Sequence, residues 1–459
     1  MDQHREKVFK EYDPEIMRRL LAFIKPYSLP ATLAVIALLL ATAAELATPV
    51  IMQRAIDEDI MSRFRRFAVA ERSEEVLERN GLMDQARKIG GYYYLPEIEG
   101  EKVPANVKEE LIGSELYSRQ TWYVTEMRDS GDLRQLLSRY PELFEQREGY
   151  ILADRANIEE LSRTEKLTLR AGDIRGLGVK AVLYLALLVG TLLFMFFQVY
   201  LMAYTGQGVM RDIRTRLFGH TIRQSLGFLG NTPVGSLVTR ITNDVETINE
   251  FFTSVAASIL RDFALMLGVV ITLFLLDTRL AAITVASLPP VILLTFYFRV
   301  KARDAYRRVR HGVARVNAFL SEHISGMEVV QMFGREKISS RMFRDRNGDL
   351  LSANLSEMMV FAVFRPMINL LTSVSIGTIL FFGGKMVLGT TVSLGIMIAF
   401  VNLIQKFYQP VMDFAEKFTI LQSAMAGGER IFNLLDTDES IPPGGEAELP
   451  EPFKGRIEF

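Results

Sequence analysis

The sequence predicts an all-α membrane protein with six transmembrane helices, two long cytoplasmic helical levers, and a small α+β extracytoplasmic insert between helices 1 and 2. Three observations predict it. Six apolar runs, 29–51, 179–204, 255–276, 280–300, 360–382 and 394–414, match the roughly 20 residues a helix needs to cross a bilayer. Two polar stretches with helical spacing, 206–252 and 300–358, interrupt those runs and share one layout: a helix out, a glycine-containing reversal, a helix back. Composition fits the mixture. With 49% hydrophobic and 23% charged residues, the chain is too apolar for an ordinary soluble protein and too charged for one living wholly in lipid.

The 459 residues carry a net charge of −1 and no cysteine. Nothing global points to nucleic acid, and disulfides, thiolate chemistry and zinc–cysteine sites are excluded. The four histidines show no metal-ligand spacing, so no metal site is expected and no catalytic residue is assigned. The charged N-terminus lacks the apolar core of a signal peptide, so the first run is expected to be a retained helix. Asp13-Pro14-Glu15 combines a cap residue, proline at the first helical position and an acid in the first turn. Met17, Leu20, Leu21 and Ile24 then share a face, which predicts a short amphipathic helix at the membrane surface. Residues 1–28 are thus the N-terminus and elbow helix, and 29–56 the first transmembrane helix.

Basic residues set the orientation. Eleven Lys and Arg lie between Lys301 and Arg346, whereas the short turns opposite carry only Arg279 and Lys385. The basic stretches are expected in the cytoplasm with both termini, and 57–177 outside. That outer segment alternates helical stretches (73–89, 107–116, 133–144, 158–166) with β-like runs (91–95, 120–124, 149–152), which reads as a small α+β domain. Trp122 and Tyr92-Tyr93-Tyr94 are its expected core, with an aromatic ligand cage as the sharper alternative. Asp57, Glu58 and Asp59 read as a solvated acidic helix end. Asp277-Thr278-Arg279 makes a tight hairpin of the third and fourth spans. Residues 178–436 hold helices 2–6 with both levers; 437–459 read as a linker, rich in proline and acids, and the first strand of a further domain.

The reversal residues Asn231, Thr232, Pro233, Val234 and Gly235, and Ser325, Gly326 and Met327, mark the lever tips. They are structural turns or points on which another body pushes. Arg240 and Asp244, four apart on a helix, are expected to pair, and Arg365-Pro366 to kink the fifth span. Polar groups are costly in lipid, so Glu45, Gln198, Asn369, Asn402 and Gln405 are expected to face a cavity or a partner helix. Met266, Phe296 and Phe407 add soft apolar surface that re-packs around varied ligands. For each of these, helix packing or lipid contact is the plainer reading.

Three motifs carry a resemblance. Thr232-Pro233-Val234-Gly235 followed by Arg240-Ile241-Thr242-Asn243-Asp244-Val245-Glu246 resembles the first intracellular loop of exporter-type ABC transporters. Glu322, Ser325-Gly326, Val329-Val330 and Phe333-Gly334-Arg335-Glu336 are similar to their second loop. Gly428-Glu429-Arg430-Ile431-Phe432, Leu434-Leu435-Asp436 and Gly455-Arg456-Ile457-Glu458-Phe459 resemble their passage into the nucleotide-binding domain. The large insert, with Glu45 ahead of Pro49, is similar to one half of bacterial heterodimeric multidrug exporters.

The resemblance implies the transmembrane domain of an ATP-driven exporter, moving apolar or amphipathic compounds (drugs or lipids) outward by alternating access in a bacterial cell membrane. The tip residues would be its coupling helices. Neither a phosphate-binding loop nor the family's signature motif occurs in the chain. ATP and Mg2+ are therefore expected through a nucleotide-binding domain outside it, with none bound by the chain itself. Implied partners are that domain, a second half-transporter (heterodimer ahead of homodimer), the bilayer and the small substrate; no nucleic acid is implied. A membrane receptor sensing ligand through the outer domain is the alternative, and an ion-coupled secondary transporter would show internal repeats that are not evident.

Overall fold

The computed structural model describes residues 14–439 apart from 101, 102, 129, 130 and 390. The Asp13 cap, the linker prolines and the terminal strand lie outside the described residues.

Five stretches are long and apolar enough to cross a bilayer: Lys25–Met61, Ala171–Thr221, Val234–Leu276, Thr278–Ser325 and Glu336–Leu388. The sixth apolar run lies in helix Leu394–Asp436, whose first half is diluted by Asn402, Gln405, Lys406 and Gln409. Helix Ala171–Thr221 has 51 residues and Glu336–Thr378 has 43. At about 1.5 Å per residue they reach roughly 75 and 65 Å, about twice a bilayer core, so each runs on well past any membrane it crosses.

The fourth span is not one helix. Thr278–Ala286 stops and Pro289–Ser325 begins after Ser287-Leu288. Pro289 and Pro290 cannot continue a helix from the N-terminal side but suit a first turn. Pro366, expected to kink the fifth span, lies inside the unbroken helix Glu336–Thr378.

The chain forms two compact units. Of the described residues, one holds 14–39, 193–261 and 415–439; the other holds 40–192 and 262–414. In the first unit, Val209, Ile213 and Leu217 pack with Leu237, Val245, Ile248 and Phe252. Leu20 of helix Pro14–Ala22 joins that core together with Ile431 and Phe432. The elbow helix thus buries Leu20 in protein, while Leu21 of the expected apolar face stays half exposed.

In the second unit, helices Pro289–Ser325 and Glu336–Thr378 run antiparallel. Phe298 stacks on Phe364 (3.8 Å between ring centres), Gly312 sits tight against Leu350, and Phe319 meets Phe343 (6.0 Å). The two helices hold one register over their shared length. Gly268 takes a close approach of Leu46, where any Cβ would overlap the leucine. Ser287, Ser375 and Tyr408 form a hydrogen-bonded chain (2.9 and 2.7 Å) that satisfies polar groups in a buried place.

The second unit also contains a six-stranded antiparallel sheet. Its strands are β1 (Phe64–Ala68), β2 (Arg87–Ile89), β3 (Tyr92–Pro96), β4 (Tyr117–Glu126), β5 (Glu145–Arg147) and β6 (Tyr150–Asp154), in the order β2-β3-β1-β4-β6-β5. Alternate residues serve opposite faces. Phe67, Tyr93 and Leu95 pack with Leu77 and Leu111 from flanking helices, and Tyr123, Ile151 and Ala153 with Leu133, Leu136 and Leu137. The other face clusters Ile89, Tyr94, Trp122, Val124 and Leu152. Two expected helices are broken. Helix Glu71–Arg79 ends ahead of Gly81, whose φ of +65° suits glycine, and β2 follows. Ser162 caps a fresh helix, Arg163–Leu169, in a reciprocal capping box with Glu165.

Candidate functional site

The first tip is built from two short helices. Ser225 Oγ accepts from the Phe228 N–H (3.1 Å) and starts Leu226–Asn231; Thr232-Pro233 links it to Val234–Thr239. Of the residues singled out, Asn231 closes the first helix, Thr232 and Pro233 form the link, and Val234 and Gly235 open the second. Phe228 and Leu229 pack inward, while Leu226 and Val234 are 81% and 71% exposed.

At the second tip Ser325 ends its helix and the Gly326 N–H donates to the Glu322 carbonyl (2.9 Å). Met327–Met332 follows as a short helix, and Gly334 (φ +58°) turns the chain so that the Arg335 N–H reaches the Val330 carbonyl (2.9 Å). Met332 and Phe333 are 71% and 70% exposed, and Val329 is exposed as well. Each tip therefore ends in uncovered apolar side chains.

The return arm of the first lever is braced from far along the sequence. Asp244, buried, accepts two hydrogen bonds from Arg430 (2.9 and 2.6 Å). This corrects the expected Arg240–Asp244 pair: 240–244 forms a π-helical turn, and the π register changes which side chains share a face. The Glu439 N–H donates to Gln224 Oε1 (3.0 Å), and the Glu439 carbonyl accepts from the Ser225 N–H (2.8 Å). His220 Nε2 lies 2.9 Å from the Thr437 carbonyl. The segment leaving helix Leu394–Asp436 is thus held beside the first residue of the tip. Arg19 grips Asp436 with two hydrogen bonds (2.6 and 2.7 Å) and holds its carboxyl below the usual carboxylate range.

Among the cavity candidates, Glu45 meets Lys406: the Lys406 Nζ lies 3.3 Å from Glu45 Oε1 and 3.0 Å from its carbonyl. Asn402, Gln405 and Phe407 share the Lys406 helix; Asn402 is half-buried and donates to the Ile398 carbonyl (2.9 Å), Gln405 is exposed, and Phe407 meets Tyr408 edge-on. Met266 is half-buried; Phe296 and Asn369 are exposed on the paired helices. Gln198 belongs to the other unit.

Of Asp57, Glu58 and Asp59, expected as a solvated acidic end, only Glu58 is exposed. Asp57 accepts from Ser393 Oγ (2.6 Å), Gln53 Nε2 (2.7 Å) and the Gly395 N–H (3.0 Å), capping the last helix from outside it. Asp59 is buried and pairs with Lys180 (2.5 Å), which also reaches Glu58 (2.9 Å). Gln53 is one helical turn from Asp57, but sequence reasoning had no signal for Ser393, Gly395 and Lys180, which lie more than a hundred residues away.

The family described as ABC transporter transmembrane region matches residues 162–411. The chain belongs to that family. Its resemblance to exporter-type ABC transmembrane domains is met by its relatives. It is 29% identical over 254 residues to an uncharacterized ABC transporter ATP-binding protein, YknV, of Bacillus subtilis, covering 55% of this chain and 42% of that one. It is 28% identical over 311 residues to the probable multidrug resistance ABC transporter ATP-binding/permease protein YheH of the same organism, covering 66% and 45%. It is 30% identical over 256 residues to an ATP-dependent lipid A-core flippase of Syntrophus aciditrophicus, covering 56% and 43%. The chain spans less than half the length of these relatives.

Proposed function

We propose that this chain is the membrane-embedded part of an ATP-driven exporter for apolar or amphipathic compounds. The observation that carries the reading is the exposed apolar surface at each tip, Leu226 and Val234 on one and Val329, Met332 and Phe333 on the other. Such patches at the ends of helices too long for a bilayer mark surfaces awaiting a partner. The relatives named as ATP-binding/permease proteins support nucleotide-binding domains as that partner. ATP and Mg2+ would act there, and closure would move the helices as rigid levers between two states that bind ATP unequally.

In this reading 394–414 supplies the sixth span, both termini are cytoplasmic, and 57–177 is an α+β insert on the outer side. A second half-transporter completes the cavity, with a heterodimer favoured by the insert. Drugs or lipids are the cargo, in keeping with relatives named for multidrug resistance and for lipid A. Met266, Phe296, Asn369 and the Glu45–Lys406 pair would line the path with Asn402, Gln405 and Phe407.

The test uses the full-length gene product in proteoliposomes. Val329→Asp with Phe333→Asp, and separately Leu226→Asp with Val234→Asp, should cut ATP-dependent dye export about tenfold or more. Basal ATP hydrolysis should persist and substrate stimulation should vanish. Export at the unaltered level in both variants would remove the tips from the mechanism.

A further inference from the structure

The helix Pro289–Ser325 carries a run of cations where its apolar part ends. Arg299, Lys301, Arg303, Arg307, Arg308 and Arg310 lie there, all exposed, with Asp304 as the one acid among them. At roughly 100° per residue, Arg299, Arg303, Arg307 and Arg310 fall within about 80° of one another. Phe298, Gly312 and Phe319, which meet the helix Glu336–Thr378, fall on the opposite side. The four arginines therefore form one outward stripe. Toward the start of the helix, the exposed apolar residues Ile292, Leu293 and Val300 lie next to it.

Like charges three or four residues apart on a helix repel. The stripe holds three such contacts in succession: Arg299 with Arg303, Arg303 with Arg307, and Arg307 with Arg310. The facing helix offers little relief. Phe298 opposes Phe364 and Gly312 opposes Leu350, so 299–310 runs beside 352–363, where Glu357 is the one acid. Among the described residues Arg307, Arg308 and Arg310 form no ion pair, whereas Arg315, just beyond them, pairs with Asp349 (3.5 Å). The first lever is built differently: its Arg211 has Asp212 and its Arg214 has Glu246. An ordinary solvated face mixes signs in that way, and this stripe does not.

The height of the stripe suggests what neutralises it. From Thr278 to Val300 the chain rises by roughly 33 Å, close to the thickness of a bilayer core. Arg299 and Arg303 then stand at the headgroup layer, which is about 5–7 Å deep. Arg307 and Arg310 lie about 10 and 15 Å past Val300, and long arginine side chains reach back toward an interface. Five of the six cations are arginine, whose planar fork takes two phosphate oxygens at once.

We propose that the stripe is a binding site for anionic phospholipid, with phosphate on Arg303, Arg307 and Arg310 and acyl chains along Ile292, Leu293 and Val300. A lipid of net negative charge gains from every cation of the run, whereas phosphatidylcholine brings its own cation and gains little. The inference rests on the proposed span over 278–300 and on no step of export.

Native mass spectrometry of the full-length gene product in neutral detergent counts bound lipids directly. Dioleoyl phosphatidylglycerol should bind about tenfold tighter than dioleoyl phosphatidylcholine. Arg307→Gln with Arg310→Gln removes two exposed cations and leaves the core intact. It should weaken phosphatidylglycerol about tenfold or more and leave phosphatidylcholine unchanged. Lys337→Gln with Arg341→Gln makes the same charge change on exposed residues of the paired helix, about 30 Å past the height of Val300; it should alter neither lipid. Glycerol 1-phosphate, the headgroup without its chains, should not displace the lipid even in excess. Equal affinity for the two lipids, unaltered phosphatidylglycerol binding in Arg307→Gln with Arg310→Gln, or an equal loss in Lys337→Gln with Arg341→Gln overturns the proposal. Displacement by glycerol 1-phosphate overturns it too, by giving the stripe to a soluble phosphate. Binding is read without transport, so a failure here and a failure of the export reading are separate results.

Discussion

Asp244 and Arg430 are 186 residues apart and are joined by two hydrogen bonds within the first unit. The carboxylate is buried while the guanidinium is half exposed, so the pair is asymmetric. Removing the arginine strands a buried charge. Arg430→Ala is expected to destabilise the chain by about 3 kcal/mol, and Arg430→Lys less, because one ammonium cannot replace two parallel hydrogen bonds. Thermal unfolding in detergent measures both; an unshifted Arg430→Ala would mean that Asp244 finds water instead. The Glu45–Lys406 pair lies within the apolar part of the chain with both side chains about four-fifths buried. Lys406→Met alone should destabilise more than the double variant Glu45→Gln with Lys406→Met. A double-mutant cycle is expected to give a coupling of about 1–2 kcal/mol, and a cycle near zero would show the two charges solvated independently.

At the scale of elements, the helix Pro14–Ala22 behaves as a docked part of the first unit. Gly428 admits Ile16 and Leu20 closely, Phe23 stacks on Phe432, and Arg19 holds Asp436. Because the folded Asp436 carboxyl is held below its ordinary range, its contribution is fully present above about pH 4 and is lost as pH falls through the lower folded value. Protection factors over 14–22, which are corrected for the intrinsic pH dependence of amide exchange, should therefore fall on acidification from pH 7 towards 3, and Asp436→Asn should show at pH 7 the lower protection of the acidified parent. An acid response that survives the substitution would assign it to another group. The paired helices Pro289–Ser325 and Glu336–Thr378 reach their tip without a break, so a push at residues 327–333 has a rigid path to travel. Gly235, in contrast, sits at the second position of a helix with open space around its Cα. Proline is tolerated there, which is why the tip is better probed by charging its exposed apolar residues.

For the molecule as a whole, the sheet and its helices hang on a few anchors. Arg170 donates to the Asp59 and Ile60 carbonyls (both 2.6 Å), Arg155 to the Met61 carbonyl, and Lys180 pairs with Asp59. These contacts close the polypeptide directly beneath the sheet. Replacing 63–169 by a short linker should therefore leave Asp59, Arg170 and Lys180 in place and preserve export, with altered gating or specificity. Complete loss of export, with the protein still at its normal abundance in the membrane, would favour a receptor that works through its outer domain.

Much of this was legible in the sequence because the relevant signals are local. Apolar runs, helical spacing and Gly/Pro reversals are written within a turn or two, so the long helices, both tips and the family could be read from residues such as Thr232-Pro233-Val234-Gly235 and Phe333-Gly334-Arg335-Glu336. Tertiary structure alone decided who pairs with whom. Asp57 looked like a solvated acid because its donors, Ser393 and Gly395, sit more than three hundred residues away. Asp244 had a plausible partner four residues off, and a π-helical turn handed it to Arg430 instead. The three-residue strands β2 and β5 carry too few residues to show a period, and in β1 the alternating burial falls on Arg65 and Phe67, so residue type does not alternate with it; these strands exist because neighbours satisfy their backbone groups. Partner choice is a sum over every packing the chain can reach, and no window of sequence contains that sum.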